Sequence, residues 1–326
     1  MTDPATGRRP PWWKRPRKLR RQLAGTLVAV AFVSVAIVGG INFFAASELL
    51  EDGNQEALSG IGESQARTIE AGTGRLLAGV SAIAADLGVV EALDALGTGY
   101  DSLEDESLEP GEADELDAYY ERAVVTPLEE VDLGPVEAAD LQPSTESGRY
   151  LQYHYTVADD AEAAEARGEV VDAGDGSRYS AAHRDTHPFL ADVAATFGAS
   201  DLLLIANDGT VVYTVAKRID LGTNLVSGPY QDSALATTVS EDLVRVRVGG
   251  AVIADYERYL PGGGAPRLFA VAAVRNETEV IGSLAIQIPI EALNAITAAD
   301  GRWEEVGLRG GESYLVGSDR LLRSES

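Results

Sequence analysis

The sequence predicts an α+β chain: an N-terminal transmembrane helix, a long stalk helix, and a five-stranded antiparallel sheet with a helical insertion between its second and third strands. Three observations predict it. Residues 23–46 carry no charge and are apolar except for Thr26, Ser34 and Asn42. Residues 47–97 repeat apolar positions at spacings of three, four and seven, the period of a helix with one packed face. Between residues 201 and 290, strand-like runs are separated by turn residues, and the last of them alternates strictly.

The elements follow in chain order. Residues 1–22 form a basic tail, with eight Arg or Lys against the single acid Asp3. Such a cluster before an apolar run holds the N-terminus in the cytoplasm, and Trp12 and Trp13 fit the membrane interface. The run 23–46 exceeds the ~20 residues that cross a hydrocarbon core. A cleaved signal peptide is the competing interpretation. It is disfavoured because its apolar region is usually about 7–15 residues and because no small-x-small cleavage site follows. The bulk of the chain is therefore expected outside the cytoplasm, anchored by one span. Gly25-xxx-Ala29 and Ala36-xxx-Gly40 are spacings at which two such helices approach closely, which suits a homodimer.

In the stalk, residues 47–97, Leu50, Ala57, Ile61, Ile69, Leu76, Val80, Ile83, Leu87, Val90 and Leu93 mark the packed face. The glycines between them each cost up to about 1 kcal/mol in a helix interior, so packing must hold the helix straight. An ordinary helical pair lying on the domain is the alternative. Residues 98–149 are the most acidic part, broken by Pro110, Pro127, Pro135 and Pro143, and read as short helices and linkers. Residues 179–197 read as a helix leading into the sheet.

The sheet opens with Leu202-Leu203-Leu204-Ile205-Ala206, turns at Asn207-Asp208-Gly209, and returns through residues 210–215. An Asx-Gly-type turn between β-branched-rich runs is a strong hairpin signal. Strands are expected at residues 252–260, 267–274 and 280–290. In the last, Gly282, Leu284, Ile286, Ile288 and Ile290 alternate with Ser283, Ala285, Gln287 and Pro289, which implies one face in the core and one outside.

Composition excludes several classes. The 326 residues carry a formal net charge of −26, and beyond the tail 18 basic residues face 51 acidic ones. That field repels nucleic acid and anionic head groups and favours cationic ligands or a saline medium. There is no Cys, hence no disulfide and no thiolate metal site. No phosphate-binding loop, nucleophile elbow or Cys nucleophile is present, so the chain carries no recognisable catalytic residue, metal site or cofactor motif. His183 and His187 stand four apart, but without an HExxH glutamate; a structural role against the sheet is the stronger reading.

Several stretches together resemble the extracytoplasmic double-Cache sensor region of bacterial membrane adenylate/guanylate cyclases and related receptors. They are SAIAADLGVVEAL (81–93), YLQYHYTVAD (150–159), DGSRYSAAHRDTHPFL (175–190), FGASDLLLIANDGTVVYTVAKRIDLGTNLVSGPYQDSAL (197–235), ADYERYLPGGGAPRLFAVAAV (254–274), GSLAIQIPIEALNAI (282–296) and GLRGGESYLVGSDRLLRSES (307–326). The resemblance implies a PAS-like fold, with a membrane-distal Cache module at 150–296 and the start of a second, membrane-proximal module at 297–326, opening near Trp303 and the strand 312–316. It implies a cytoplasmic output beyond residue 326, foremost a class III cyclase, none of whose metal-binding or base-reading residues occurs here. A chemoreceptor or histidine-kinase output, or a ligand-free dimerisation module, are the alternatives. The Tyr…Arg-Trp-Tyr…Tyr-x-Asp arrangement of amino-acid-binding members is absent.

In a PAS-like module the pocket lies between the sheet and the insertion after its second strand. Tyr213, Lys217, Tyr230, Asp255, Tyr256 and Tyr259 are the candidates to line it, since aromatic walls with a few placed charges suit a small ligand. Strand alternation prevents all six from facing inward. Asp255 is the leading candidate, because an acid in a β-branched strand needs solvent or a partner; a surface Asp beside Arg258 is the alternative. The expected partners are a small extracellular ligand, the membrane and a second copy, with no nucleic acid.

Overall fold

The computed structural model describes residues 17–129, 136–157, 167–241, 250–289, 315–317 and 320. The basic residues 1–16, Trp12 and Trp13 among them, and most of 297–326, Trp303 included, lie outside the described residues, as does the end of the last expected strand at Ile290. The chain divides into two units, residues 1–64 and 65–326.

Helix α1 spans Arg17–Ala84. In the first unit its stretch Val30–Phe44 is apolar, and its large hydrophobic side chains are exposed, Phe32 to 78%. Among the described residues no single helix is long and apolar enough to cross a membrane, and part of the expected 23–46 span has no described side chains.

In the second unit the helical pattern expected to run through to residue 97 is split. Asp86 starts a new helix, α2 (Leu87–Asp101), by accepting the Gly88 N–H at 2.8 Å, one of the four donors that any helix start leaves open. Helices α3 (Pro110–Tyr119), α4 (Glu146–Gln152), α5 (Arg178–Thr196) and α6 (Ala234–Glu241) follow. Ser177 caps α5 through the Ser180 N–H, and the helix continues through Pro188.

The sheet consists of β1 (Asp201–Ala206), β2 (Val211–Thr214), β3 (Ala251–Arg258), β4 (Pro266–Arg275) and β5 (Val280–Ile288), all antiparallel, in the order β2-β1-β5-β4-β3. The expected hairpin forms, with Gly209 at φ +94° in its turn. The last strand lies at the centre, pairing Leu204 with Leu284 on one side and Ala272 with Leu284 on the other. It thereby joins the β1–β2 hairpin to the β3–β4 hairpin.

The expectation of one buried face is corrected. Ser283, Ala285 and Gln287, the residues read as the outer set of β5, are at most 1% exposed. The face bearing Leu202, Leu204, Leu284 and Ile286 packs against Val80 of α1, Val89, Leu93 and Leu96 of α2, and Leu190 of α5. The opposite face, with Leu203, Ile205, Phe269, Val271 and Ala285, is covered by Leu116 of α3, Tyr120, Val124, Val125 and Leu128 just after it, and Ile219, Tyr230, Leu235 and Val239 of the insertion. The acidic segment read as helices and linkers thus supplies the second cover. Its described acids are exposed, Glu112 half-buried, while its scattered apolar residues enclose the sheet.

Candidate functional site

Two buried polar regions flank the sheet, one on each face. The first is built from α5, β2 and the residues after it. His183 and His187, one turn apart, stack at 4.7 Å between ring centroids. The Gly168 carbonyl can only accept, so the His187 Nε2 at 2.9 Å carries a proton; Nδ1 then accepts from the Tyr213 hydroxyl at 2.7 Å. The His183 Nδ1 donates to the Val171 carbonyl. Burial, and secondarily the Lys217 charge, lower His183 to about 2 and His187 to about 4. Neutral imidazoles bound to carbonyls and a hydroxyl hold α5 against the sheet, and no cluster of three metal-ligating side chains occurs among the described residues.

Lys217 is fully buried at a positive φ of 47°, its Nζ 3.3 Å from the Val215 carbonyl. Burial lowers it to about 7, against the pull of Asp201. Asp201 is also buried. Its Oδ1 accepts from the Leu202 and Ala216 N–H groups, while Oδ2 has no hydrogen-bond partner and lies 3.9 Å from the Arg218 Nε. Burial and the charge of Asp220 push its carboxyl well above the usual carboxylate range. Asp220 accepts from the Tyr259 hydroxyl at 2.8 Å on Oδ2, and its Oδ1 has no partner. Lys217 to Asp220 therefore carry the polar network from one sheet face to the other.

On the second face lies a cavity of about 360 Å³. Its wall is formed by Tyr119, Ala123, Val124, Pro127 and Leu128, by Arg218 and Ile219, by the β3–β4 turn Leu260–Gly262 with Gly263, and by Arg167 and Arg267. Gln152 fixes the wall that carries Arg218: its Nε2 donates to the Ile219 and Leu221 carbonyls, and its Oε1 accepts from the Tyr120 hydroxyl. Arg167 donates from Nη1 to the Tyr119 hydroxyl at 3.0 Å, with its guanidinium 5.7 Å from that ring's centroid. A smaller cavity of about 250 Å³ adjoins it through Leu260, lined by Pro229, Tyr230, Asp232, Ser233, Glu257, Arg258 and Tyr259.

Of the six candidate residues, Tyr230 and Tyr259 are brought together, 6.4 Å between ring centroids, on the smaller cavity. Tyr213 and Lys217 are buried on the histidine side. Asp255 is exposed on β3, its Oδ1 accepting the Tyr256 N–H, and Tyr256 is half-buried; neither lines the larger or the smaller of these two cavities. The sequence reading missed Arg167, Arg218, Arg267, Asp201 and Asp220. The triplet Lys217-Arg218…Asp220 directly after a buried strand was the available signal for two of them, since charges rarely follow an apolar strand without a use. Arg167 and Arg267 carry no local signal.

No protein-family model matches the chain, and no curated protein does. Among solved structures, it is similar to the sensor domain of the V. cholerae histidine kinase DctB, with a TM-score of 0.29 and 16% identity over 36% of this chain and 41% of that one. It is also similar to the sensory domain of the Campylobacter jejuni chemoreceptor Tlp3 (CcmL) with isoleucine bound, with a TM-score of 0.29 and 13% identity over 71% and 73%. The chain thus spans less than half the length of the DctB domain.

Proposed function

We propose that the chain is a membrane-anchored, extracytoplasmic small-molecule sensor of the Cache type, which passes its signal through the stalk to a cytoplasmic output, foremost an adenylate or guanylate cyclase. The observation that carries this reading is the cavity of about 360 Å³ on the second sheet face. Its size suits a metabolite, and it combines an apolar wall with a few charged groups, the usual make-up of small-ligand sites. The order of elements supports the same reading: an exposed apolar helical stretch, Val30–Phe44, precedes the helices that pack on a sensor-like sheet.

Binding biases signalling only if the ligand binds two conformations differently. The end of α1 and all of α2 lie on the face opposite the cavity, so a shift of the sheet on binding would be felt by these helices. The second copy proposed from the small-residue spacings gives the helices a partner to slide against. The test is a thermal-shift screen of the full chain in detergent against carboxylates, phosphate, amino acids, polyamines and divalent metals. A ligand specific to the folded state raises the melting temperature as RT ln(1 + [L]/Kd). A well-folded sample that no compound stabilises would sink the sensor reading.

A further inference from the structure

The chain carries six asparagines, and one of them, Asn276, has a hydroxyl residue two positions on, in Asn276-Glu277-Thr278. This is the Asn-x-Ser/Thr pattern, with x other than Pro, at which an oligosaccharide is attached to an asparagine amide. One match among six asparagines is no more than chance supplies, and it is the geometry of the segment that singles it out.

Residues 276–279 form the turn between β4 and β5, closed by the Asn276 N–H donating to the Glu279 carbonyl at 3.0 Å. All four, and Arg275 before them, are exposed. An attached sugar is bulky and hydrophilic, so its acceptor must stand clear of the packed fold. The Asn276 side chain folds back over the turn. Its Oδ1 accepts the Thr278 N–H at 2.9 Å, the Glu279 N–H at 2.8 Å and the Thr278 hydroxyl at 3.0 Å. An asparagine amide accepts at its oxygen and donates at its nitrogen. Here the oxygen takes three donors, while Nδ2 has no partner among the described residues. Donors on the oxygen draw electron density from the amide and make a proton on the nitrogen easier to lose. Asn224 shows the contrasting arrangement. Its Oδ1 accepts the Val226 and Ser227 N–H groups, and its Nδ2 donates to the Asp208 carbonyl and the Thr210 hydroxyl, so both ends of that amide brace the fold.

We propose that Asn276 is a glycosylation site, accepting an oligosaccharide from a lipid-diphosphate-linked donor. In the transfer, Nδ2 forms a bond to the anomeric carbon of the sugar and gives up one proton. The anomeric C–O bond breaks, and the lipid diphosphate leaves with its electron pair. The Thr278 hydroxyl holds the amide oxygen and so orients Nδ2 outward. The site rests on the sensor reading, because it requires the sheet to lie on the outer side of the membrane, where exposed turns of exported chains are modified.

The test is mass spectrometry of the peptide containing Asn276, from the full chain purified out of the membranes of the cells that make it. A population carrying an added carbohydrate mass is expected. Thr278→Ala removes the hydroxyl but leaves Asn276 and both backbone donors, and is expected to lose that mass; Thr278→Ser keeps the hydroxyl and is expected to retain it. Asn276→Gln is expected to lose it as well, and because that change also dismantles the turn, the two Thr278 variants keep the test decisive. Protease added to the outside of spheroplasts reports separately on which side of the membrane the sheet lies. An unmodified peptide from a chain that the protease digests overturns the glycosylation site and leaves the sensor reading standing. An added mass that survives Thr278→Ala overturns the site equally. An unmodified chain that the protease cannot reach sinks both.

Discussion

Lys217 is a charged side chain in an environment that disfavours charge, and that has a measurable consequence. Burial lowers it from 10.5 to about 7. Between those values the unfolded chain holds a proton that the folded chain lacks, so folding stability from this group rises with pH, by about 1.4 kcal/mol per pH unit at most. Below pH 7 both states are protonated and the contribution is flat. The neighbouring groups act elsewhere: His183 and His187, lowered to about 2 and about 4, make stability fall on acidification below pH 6.5, raised Asp201 opposes them there, and the buried tyrosines matter only near pH 10. Urea melts at pH 7 and 9.5 should therefore show the parent gaining stability, and Lys217→Met should flatten that gain; an equal gain in both would contradict the buried-lysine account. Tyr259→Phe removes the hydroxyl that donates to Asp220, whose other oxygen already lacks a partner. A loss of about 1–3 kcal/mol in the same melts is expected. Asp255 is exposed, so Asp255→Ala should change stability by less than about 0.5 kcal/mol.

At the scale of elements, α2 and α5 pack backbone against backbone. A Cβ on Gly99 would meet the Tyr179 Cα at 2.8 Å, which is backbone and cannot move aside. Gly99→Ala, though favourable for an isolated helix, should destabilise by about 1–3 kcal/mol through forced separation of the two helices. A melting temperature equal to or above the parent's would show that the helices are not held this tightly. The strands themselves were legible, because β1, β2 and the turn between them combine β-branched runs with an Asx-Gly turn, and β5 alternates. The buried second face was less so. Its signal was in β1 and β4, where Leu202-Leu203-Leu204-Ile205 and Leu268-Phe269-Ala270-Val271 run without alternation, as strands covered on both sides do. The strict alternation of β5 masked it, since small or hydrogen-bonded residues such as Ala285 and Gln287 can be buried without looking apolar; the Gln287 Oε1 accepts from the Ser200 hydroxyl. The arginine-lined cavity was not legible, because its three cations are spread over a hundred residues and only the folded sheet brings them to one wall.

Over the whole molecule, the excess of one sign of charge acts on the fold itself. Beyond the basic tail the chain carries 18 basic and 51 acidic residues, and like charges held close together in the compact state repel more than they do in the extended chain. Salt shortens the reach of that repulsion, from about 30 Å at 0.01 M to about 8 Å at 0.15 M. Exposed ion pairs such as Arg184 with Asp172 weaken in the same range, but each of them contributes at most about 1 kcal/mol. Raising ionic strength from about 0.01 M to about 0.15 M is therefore expected to raise the melting temperature, with most of the gain at the low end of the range. Thermal melts at several sodium chloride concentrations measure it. A melting temperature that falls as salt rises would mean that ion pairs outweigh the repulsion, and that the acidic residues are spaced so as to avoid one another in the folded chain.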